Sequence, residues 1–213
     1  VAFSRLGLKT GFIGVIGDDF HGEMIAQDLH KEGVAFLGKR KKGNSGYSLI
    51  LTGSHDRTIL AHKGINNNLK TKDINIAFLQ TRWIYLSTMV GESFRTLLKV
   101  ADYAHKKHIK LACNLSLYIA TQGLTKLSSL LRKLDILIIN KEEAMALAGK
   151  YDIDGLMERI SKYLKGVIVI TDGAHSVFAY DGMYYQKKIK KIKPIDTTGA
   201  GDAFAAGFVY GIM

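Results

Sequence analysis

Short, continuous apolar runs alternate with stretches of helical spacing along most of the chain. RWIYLS, IKLACN, LDILIIN and GVIVIT are runs of the kind that a parallel sheet buries on both faces. Between them the pattern predicts helices over 92–107, 123–133 and 153–165, and a helix KEEAMALAG that Asn140 caps and Gly149 ends. Nearer the start, GFIGVI at 11–16 ends in Gly17-Asp18-Asp19 and reads as one buried strand followed by a turn. Residues 20–32 place Phe20, Met24, Ala26 and Leu29 at near-helical spacing, and Gly33 stops that helix. YSLILT and RTILAH, over 46–52 and 57–62, are strand-like runs joined by Gly53-Ser54-His55-Asp56 and predict a hairpin. A second hairpin is predicted to turn at Asp181-Gly182.

Apolar strands separated by amphipathic helices predict an α/β fold around a mostly parallel sheet. The first hairpin breaks that rhythm and reads as a flap over one edge of the sheet. In such sheets ligands bind beyond the carboxyl ends of the strands, so chemistry-bearing residues are sought directly after them.

The 213 residues are 47% hydrophobic, enough for one domain with a substantial core or two small ones. Thirty Lys and Arg stand against 19 Asp and Glu, giving a formal charge of +11. The cations are scattered over helix faces apart from one run, Lys187, Lys188, Lys190, Lys191 and Lys193. With no aromatic-basic signature and no zinc-finger spacing, this predicts a solvated surface and no nucleic-acid partner. No run is long or apolar enough to span a bilayer, so no membrane partner is predicted. The one cysteine, Cys113, excludes an internal disulfide framework and a cysteine zinc site. It lies inside an apolar strand and reads as a small core residue, and the chain reads as belonging to a reducing cytoplasm. His105 and His108 read as surface residues at a helix end rather than metal ligands. The first residue is Val1 and the last stretch, AFAAGFVYGIM, stops without a cap; both ends read as cut from a larger domain.

The sharpest segment is Asp196-Thr197-Thr198-Gly199-Ala200-Gly201-Asp202, followed by AFAAGF. Small residues at 199–201 allow close backbone approach, and the Ala-rich stretch after them predicts a helix whose N-terminus faces an anion. Asp202, in its first turn, is placed either as general base toward a hydroxyl attacking a phosphoryl group or as an ordinary capping acid.

DTTGAGDAFAAGF closely resembles the C-terminal signature of the ribokinase-like, or PfkB-type, carbohydrate kinases. Four further segments agree in order. Gly7 to Asp19, with Gly22, resembles the second half of the N-terminal signature. Gly64-Ile65-Asn66 resembles the Gly-Ala-Asn after the lid strands. Asn140-Lys141-Glu142-Glu143 matches N-x-x-E, and Thr171-Asp172-Gly173 resembles the Thr-x-Gly of the nucleotide loop. The resemblance implies a three-layer α/β sandwich with a small β lid, lid strands near 34–62 and the nucleotide and phosphate-binding part near 136–213. It places the family's first strand, with a substrate Asp, before Val1 and its C-terminal helices after Met213; residues 1–213 alone are therefore expected to be poorly soluble.

By the same resemblance the protein is an ATP-dependent kinase of a hydroxyl on a small sugar. Asp202 is the base, and Gly199, Ala200, Gly201 and Asp202 form the anion hole. Asn140 and Glu143 orient Mg²⁺ through water, although the same pair reads equally as a helix cap. Asp196 and Thr198 match positions that hold a K⁺-like ion in many relatives. Thr171 and Gly173 line ATP; Ser176 stands where another Gly is usual. Ser87 and Thr88, at a strand end, are secondary substrate candidates, and Arg57 and Lys63 are cations in reach of an anionic substrate. The lid excludes water and can pair with a second subunit's lid. Nucleoside and phosphosugar kinases of the same fold, or a non-catalytic ligand-binding relative, are the alternatives.

Overall fold

The computed structural model describes residues 1–52, 57–190 and 197–213, which cluster into two units. The first comprises Val1–Gln80 with Met89–Leu97, and the second Thr81–Thr88 with Leu98–Met213.

In the first unit, helix α1 (Ala2–Arg5) is followed by β1 (Thr10–Phe12), β2 (Val15–Gly17), α2 (Phe20–Lys31), β3 (Val34–Phe36) and β4 (Lys39–Lys41). The run expected as one strand is thus two. β1 pairs in parallel with β3, and β2 in parallel with β4. The break falls at Gly14, whose backbone is approached so closely by Gly38 that a Cβ on Gly38 would lie 2.7 Å from the Gly14 nitrogen. Helix α2 also departs from its expected apolar face: Phe20 is 74% and Met24 45% exposed, and Gly22 is its buried residue.

The reason is the turn that precedes α2. Asp19 caps the helix, accepting from the Gly22 N–H at 2.9 Å. Its Oδ1 also accepts from the Ser45 hydroxyl at 2.7 Å and its Oδ2 from the Ser45 N–H at 3.0 Å. Ser45, 1% exposed, accepts in turn from the Gly17 N–H at 2.8 Å. A Cβ at Gly17 would meet Asp19 Oδ1 at 2.6 Å and the Ser45 nitrogen at 2.8 Å, so the glycine is required by contact. The Ser45 hydroxyl, together with the two N–H donors, holds the Asp19 carboxyl below the usual carboxylate range.

Strands β5 (Tyr47–Thr52) and β6 (Arg57–His62) form the expected antiparallel hairpin, with Tyr47 opposite His62 and Leu49 opposite Leu60. Its turn, 53–56, lies outside the described residues. At its base Gly64, at φ +49°, opens a 3₁₀ turn, Gly64–Asn68, and the Asn66 side chain accepts from the Gly46 N–H at 3.1 Å. Val15, Ile65 and Leu69 form this unit's small core, with Ile13, Ile74 and Met89 against it.

The second unit carries a six-stranded sheet. Its strands are β7 (Trp83–Leu86), β8 (Lys110–Asn114), β9 (Ile136–Asn140), β10 (Val167–Asp172), β11 (Ser176–Tyr180) and β12 (Tyr184–Lys188), adjacent in chain order. The first four are parallel, and β11 and β12 return antiparallel. Residues 136–139 and 168–170 are buried consecutively, which requires cover on both faces. Helix α3 (Gly91–Lys106) connects β7 to β8. Helices α4 (Leu117–Ala120) and α5 (Gly123–Leu131) precede β9, and α6 (Lys141–Ala148) and α7 (Ile153–Ser161) precede β10. Helices α6 and α7 pack on β10 and on each other. The last helix, α8 (Ala200–Ile212), buries Ala205, Ala206 and Val209.

Strand β12 is exposed throughout and ends in Lys187 and Lys188. The basic run therefore begins on a sheet edge, where lysines hinder pairing with another chain; Lys191 and Lys193 lie outside the described residues. Among the described residues no helix is long and apolar enough to cross a membrane.

Candidate functional site

The parallel strands of the second unit end together. Leu86 pairs with Cys113, Asn114 with Ile138, and Thr171 with Asn140, so Ser87, Asn114, Asn140 and Thr171 share the carboxyl edge of one sheet. Ser87, Thr88, Asn140, Glu143, Thr171 and Gly173 lie at or just after that edge, and Thr198 to Asp202 at the start of α8.

Asn140 ends β9 and caps α6. Its Oδ1 accepts from the Glu143 N–H at 2.8 Å, while Glu143 Oε2 accepts from the Asn140 N–H at 2.9 Å. This reciprocal capping box is the arrangement that N-x-x-E allows on local grounds. Partial burial raises the Glu143 carboxyl above the usual glutamate range, the neighbouring Glu142 charge adds to this, and the Asn140 N–H partly offsets it. Only Oε2 enters the cap, so Oε1 can face a hydrated cation, and an all-oxygen donor set suits Mg²⁺.

Thr171 and Asp172 end β10, and Gly173 follows at φ +54°, a backbone region that favours glycine. Asp172 receives the Lys141 ammonium at 3.2 Å, tying the first residue of α6 to the end of β10. At the β7 end Ser87 is exposed, whereas Thr88 Oγ1 accepts from the Ser116 N–H at 2.8 Å and so joins the ends of β7 and β8. The Asn114 side chain donates to the Ile138 carbonyl at 2.9 Å, closing the gap between β8 and β9.

Gly199 caps α8 at φ +77°, a left-handed conformation that leaves the first turn of the helix open to solvent at Gly199, Ala200, Gly201 and Asp202. The Ala200 N–H donates to the Thr197 carbonyl at 3.1 Å. An anion at this helix start would therefore meet Gly199, Gly201 and Asp202 first, with Ala200 joining only by leaving that bond. Thr198 is exposed; Asp196 lies outside the described residues.

Tyr85 links these pieces. Its phenol, on β7, is pushed up first by burial and then by the charges of Asp202, Cys113 and Glu143. Asp202 and Glu143 thus both lie within electrostatic reach of this one side chain. Neither Tyr85 nor the Lys141–Asp172 pair is signalled by the sequence. Tyr85 is simply one ring in an apolar strand, and the ion pair joins residues 31 positions apart. Cys113 is buried as expected, its thiol raised to about 12 by burial. His105 and His108 are exposed, and among the described residues no group of three His, Cys, Asp or Glu could hold a metal ion.

The model of the pfkB family carbohydrate kinases matches residues 1–213. The chain is 27% identical to an uncharacterized sugar kinase of Archaeoglobus fulgidus, an alignment covering all of this chain and 86% of that protein. It is 28% identical to the 5-dehydro-2-deoxygluconokinase of Clostridium perfringens, over all of this chain and 69% of that enzyme. Among solved structures, Anopheles gambiae adenosine kinase in complex with P1,P4-di(adenosine-5) tetraphosphate matches with a TM-score of 0.88. That match has 24% identity and covers 99% of this chain and 70% of that one, a likeness of fold.

Proposed function

The chain belongs to the pfkB family of carbohydrate kinases, and on that footing we propose that it transfers the γ-phosphoryl group of ATP to a hydroxyl of a small sugar. The observation that carries this reading is the first turn of α8, where the Asp202 carboxylate stands beside open N–H groups at a helix start. Asp202 takes the proton of the acceptor hydroxyl as that oxygen attacks phosphorus. The N–H groups of Gly199, Gly201 and Asp202, and of Ala200 once released from Thr197, stabilise the charge on the phosphoryl oxygens. Phosphoryl transfer asks little more of a protein than such positioning and electrostatic stabilisation.

Thr171 and Gly173 line the nucleotide, and Asn140 and Glu143 face its hydrated Mg²⁺, which when bound neutralises phosphate charge. Thr198, with Asp196, is the proposed contact for a K⁺-like ion. The β5–β6 hairpin is the proposed lid, and it exposes Leu49, Leu51 and Leu60. Thr88 is the better of the two strand-end substrate candidates, since its hydroxyl is already held in place by Ser116.

A nucleoside acceptor is the second reading, and one observation favours it. Phe20, His21, Tyr47 and His62 form a run of neighbouring rings with centroids 5.9, 5.4 and 5.1 Å apart, the first pair edge-to-face, the second stacked and the third tilted. Phe20 and Tyr47 are 74% and 52% exposed, which leaves aromatic faces on which a planar base could stack.

The test is a panel of pentoses, hexoses, phosphosugars and nucleosides assayed with Mg·ATP, followed by Asp202→Asn on whichever substrate turns over. The single-turnover rate should fall roughly 10²–10⁴-fold with ATP affinity near that of the wild type. A variant that keeps the wild-type rate would remove Asp202 from the chemistry.

A further inference from the structure

Lys141 sits where the local physics disfavours it. It is the first residue of α6, directly after the cap Asn140. A helix N-terminus favours anions, and the acids Glu142 and Glu143 that follow in the same turn obey that rule while Lys141 opposes it. Its pairing with Asp172 does not explain the choice. The N···O distance is 3.2 Å, longer than the ~2.7–2.9 Å of a strong charge-assisted bond. Both side chains stay partly open to solvent, at 41% and 27%, and pairs of that kind add little stability.

Position offers the explanation that stability does not. Among the described ion pairs of the second unit, Lys110–Asp135 lies at the amino ends of β8 and β9, Lys133–Asp102 joins the end of α5 to α3, and Lys162–Glu158 lies on the outside of α7. Lys141–Asp172 lies at the carboxyl edge, where β9 and β10 end in register. It stands between Asn140 and Glu143 on one side and Thr171 and Gly173 on the other. Lysine is a compact charge on a flexible stem, able to leave one oxygen for another without moving the backbone.

We infer that Lys141 is a ligand of the nucleotide phosphates, held in waiting by Asp172, which competes with them for the ammonium. The inference rests on the nucleotide reading of this edge given above. No covalent step is involved; on binding, the ammonium exchanges one carboxylate oxygen for oxygens of a more highly charged group. Two consequences separate this role from that of a structural clamp. Loss of Lys141 weakens di- and triphosphates but not the unphosphorylated nucleoside. Loss of the Asp172 charge removes a competitor, and with it a negative charge beside the bound phosphates, so it strengthens binding. A clamp would instead make both losses harmful.

The experiment is calorimetric titration of the purified protein with Mg·ATP, Mg·ADP and adenosine, using wild type, Lys141→Met, Lys141→Arg and Asp172→Asn. Lys141→Met should bind ATP and ADP at least about tenfold more weakly, with adenosine unchanged. Lys141→Arg should keep most of the affinity, and Asp172→Asn should bind ATP more tightly than wild type. Thermal melts should show Lys141→Met as stable as wild type. If it misfolds, the sign of the Asp172→Asn effect decides. ATP affinity unchanged in Lys141→Met, or weakened alike in Lys141→Met and Asp172→Asn, overturns the inference alone. A wild-type protein that binds no ATP at all removes the nucleotide reading as well.

Discussion

Ser45→Ala tests the physical account of the first unit without reference to activity. The Ser45 hydroxyl does two things at once in a place that water does not reach, since the residue is 1% exposed. It accepts from the Gly17 N–H at 2.8 Å and donates to Asp19 Oδ1 at 2.7 Å. Alanine removes both bonds and cannot be replaced by solvent, because Gly17, Gly22 and the 43–46 backbone already crowd the space. Leaving one buried N–H without an acceptor costs about 1–3 kcal/mol. The Asp19 bonds from the Gly22 and Ser45 N–H groups survive the change, so a loss of about 1–3 kcal/mol is expected. Urea unfolding followed by amide exchange at Gly17 and Gly22 reads it out. The pH dependence gives a second check. A carboxyl with a lowered folded pKa contributes stability above its unfolded value, and that stability is lost as pH falls through the folded value. Ser45 is the largest cause of the lowering, so in the variant the acid limb should begin at higher pH. A loss below about 0.5 kcal/mol, with Gly17 exchanging as in wild type, would refute the reasoning.

Glu143→Gln should raise the Mg²⁺ concentration for half-maximal activity without loss of stability at neutral pH. A carboxyl raised by burial contributes stability below its unfolded pKa and loses it as pH rises through the folded value, and glutamine keeps the cap while dropping the buried charge. Melts at pH 5 and 8 with a Mg²⁺ titration check this, and an unchanged titration returns the pair to capping alone. Gly199→Ala should cost roughly 1–2 kcal/mol through its φ of +77° and loosen the proposed anion hole. Among the described residues nothing would crowd the added methyl, so ATP turnover equal to wild type would mean that the turn is not used.

The strands β7 to β10 were legible because each is an apolar run in a sheet covered on both faces, and the helices between them carry their stop signals locally. The first unit was less so. GFIGVI is apolar throughout, and only the approach of Gly38 to Gly14, 24 residues on, divides it between two partners. The periodicity of α2 pointed to Phe20 and Met24, but contact between Gly22 and the Gly17 carbonyl governs how that helix sits. The 3₁₀ turns between 64 and 79 have no period to read. At the candidate site, the capping box of Asn140 and Glu143 announced itself by spacing. Tyr85 and the Lys141–Asp172 pair did not, because their meaning depends on which strands lie side by side.

The chain-order arrangement of β7 to β12 bears on how the protein is made. Each strand has only to dock on the one synthesised just before it, through a helical crossover between the parallel strands and a tight turn between β10, β11 and β12, so the sheet can grow strand by strand as the polypeptide leaves the ribosome. Asn140 and Thr171 are laid side by side during that growth, and α8 follows them. The carboxylate proposed to do the chemistry, Asp202, therefore comes after an edge that is already assembled, and a nascent chain holds the residues proposed to line the nucleotide before it holds the proposed base.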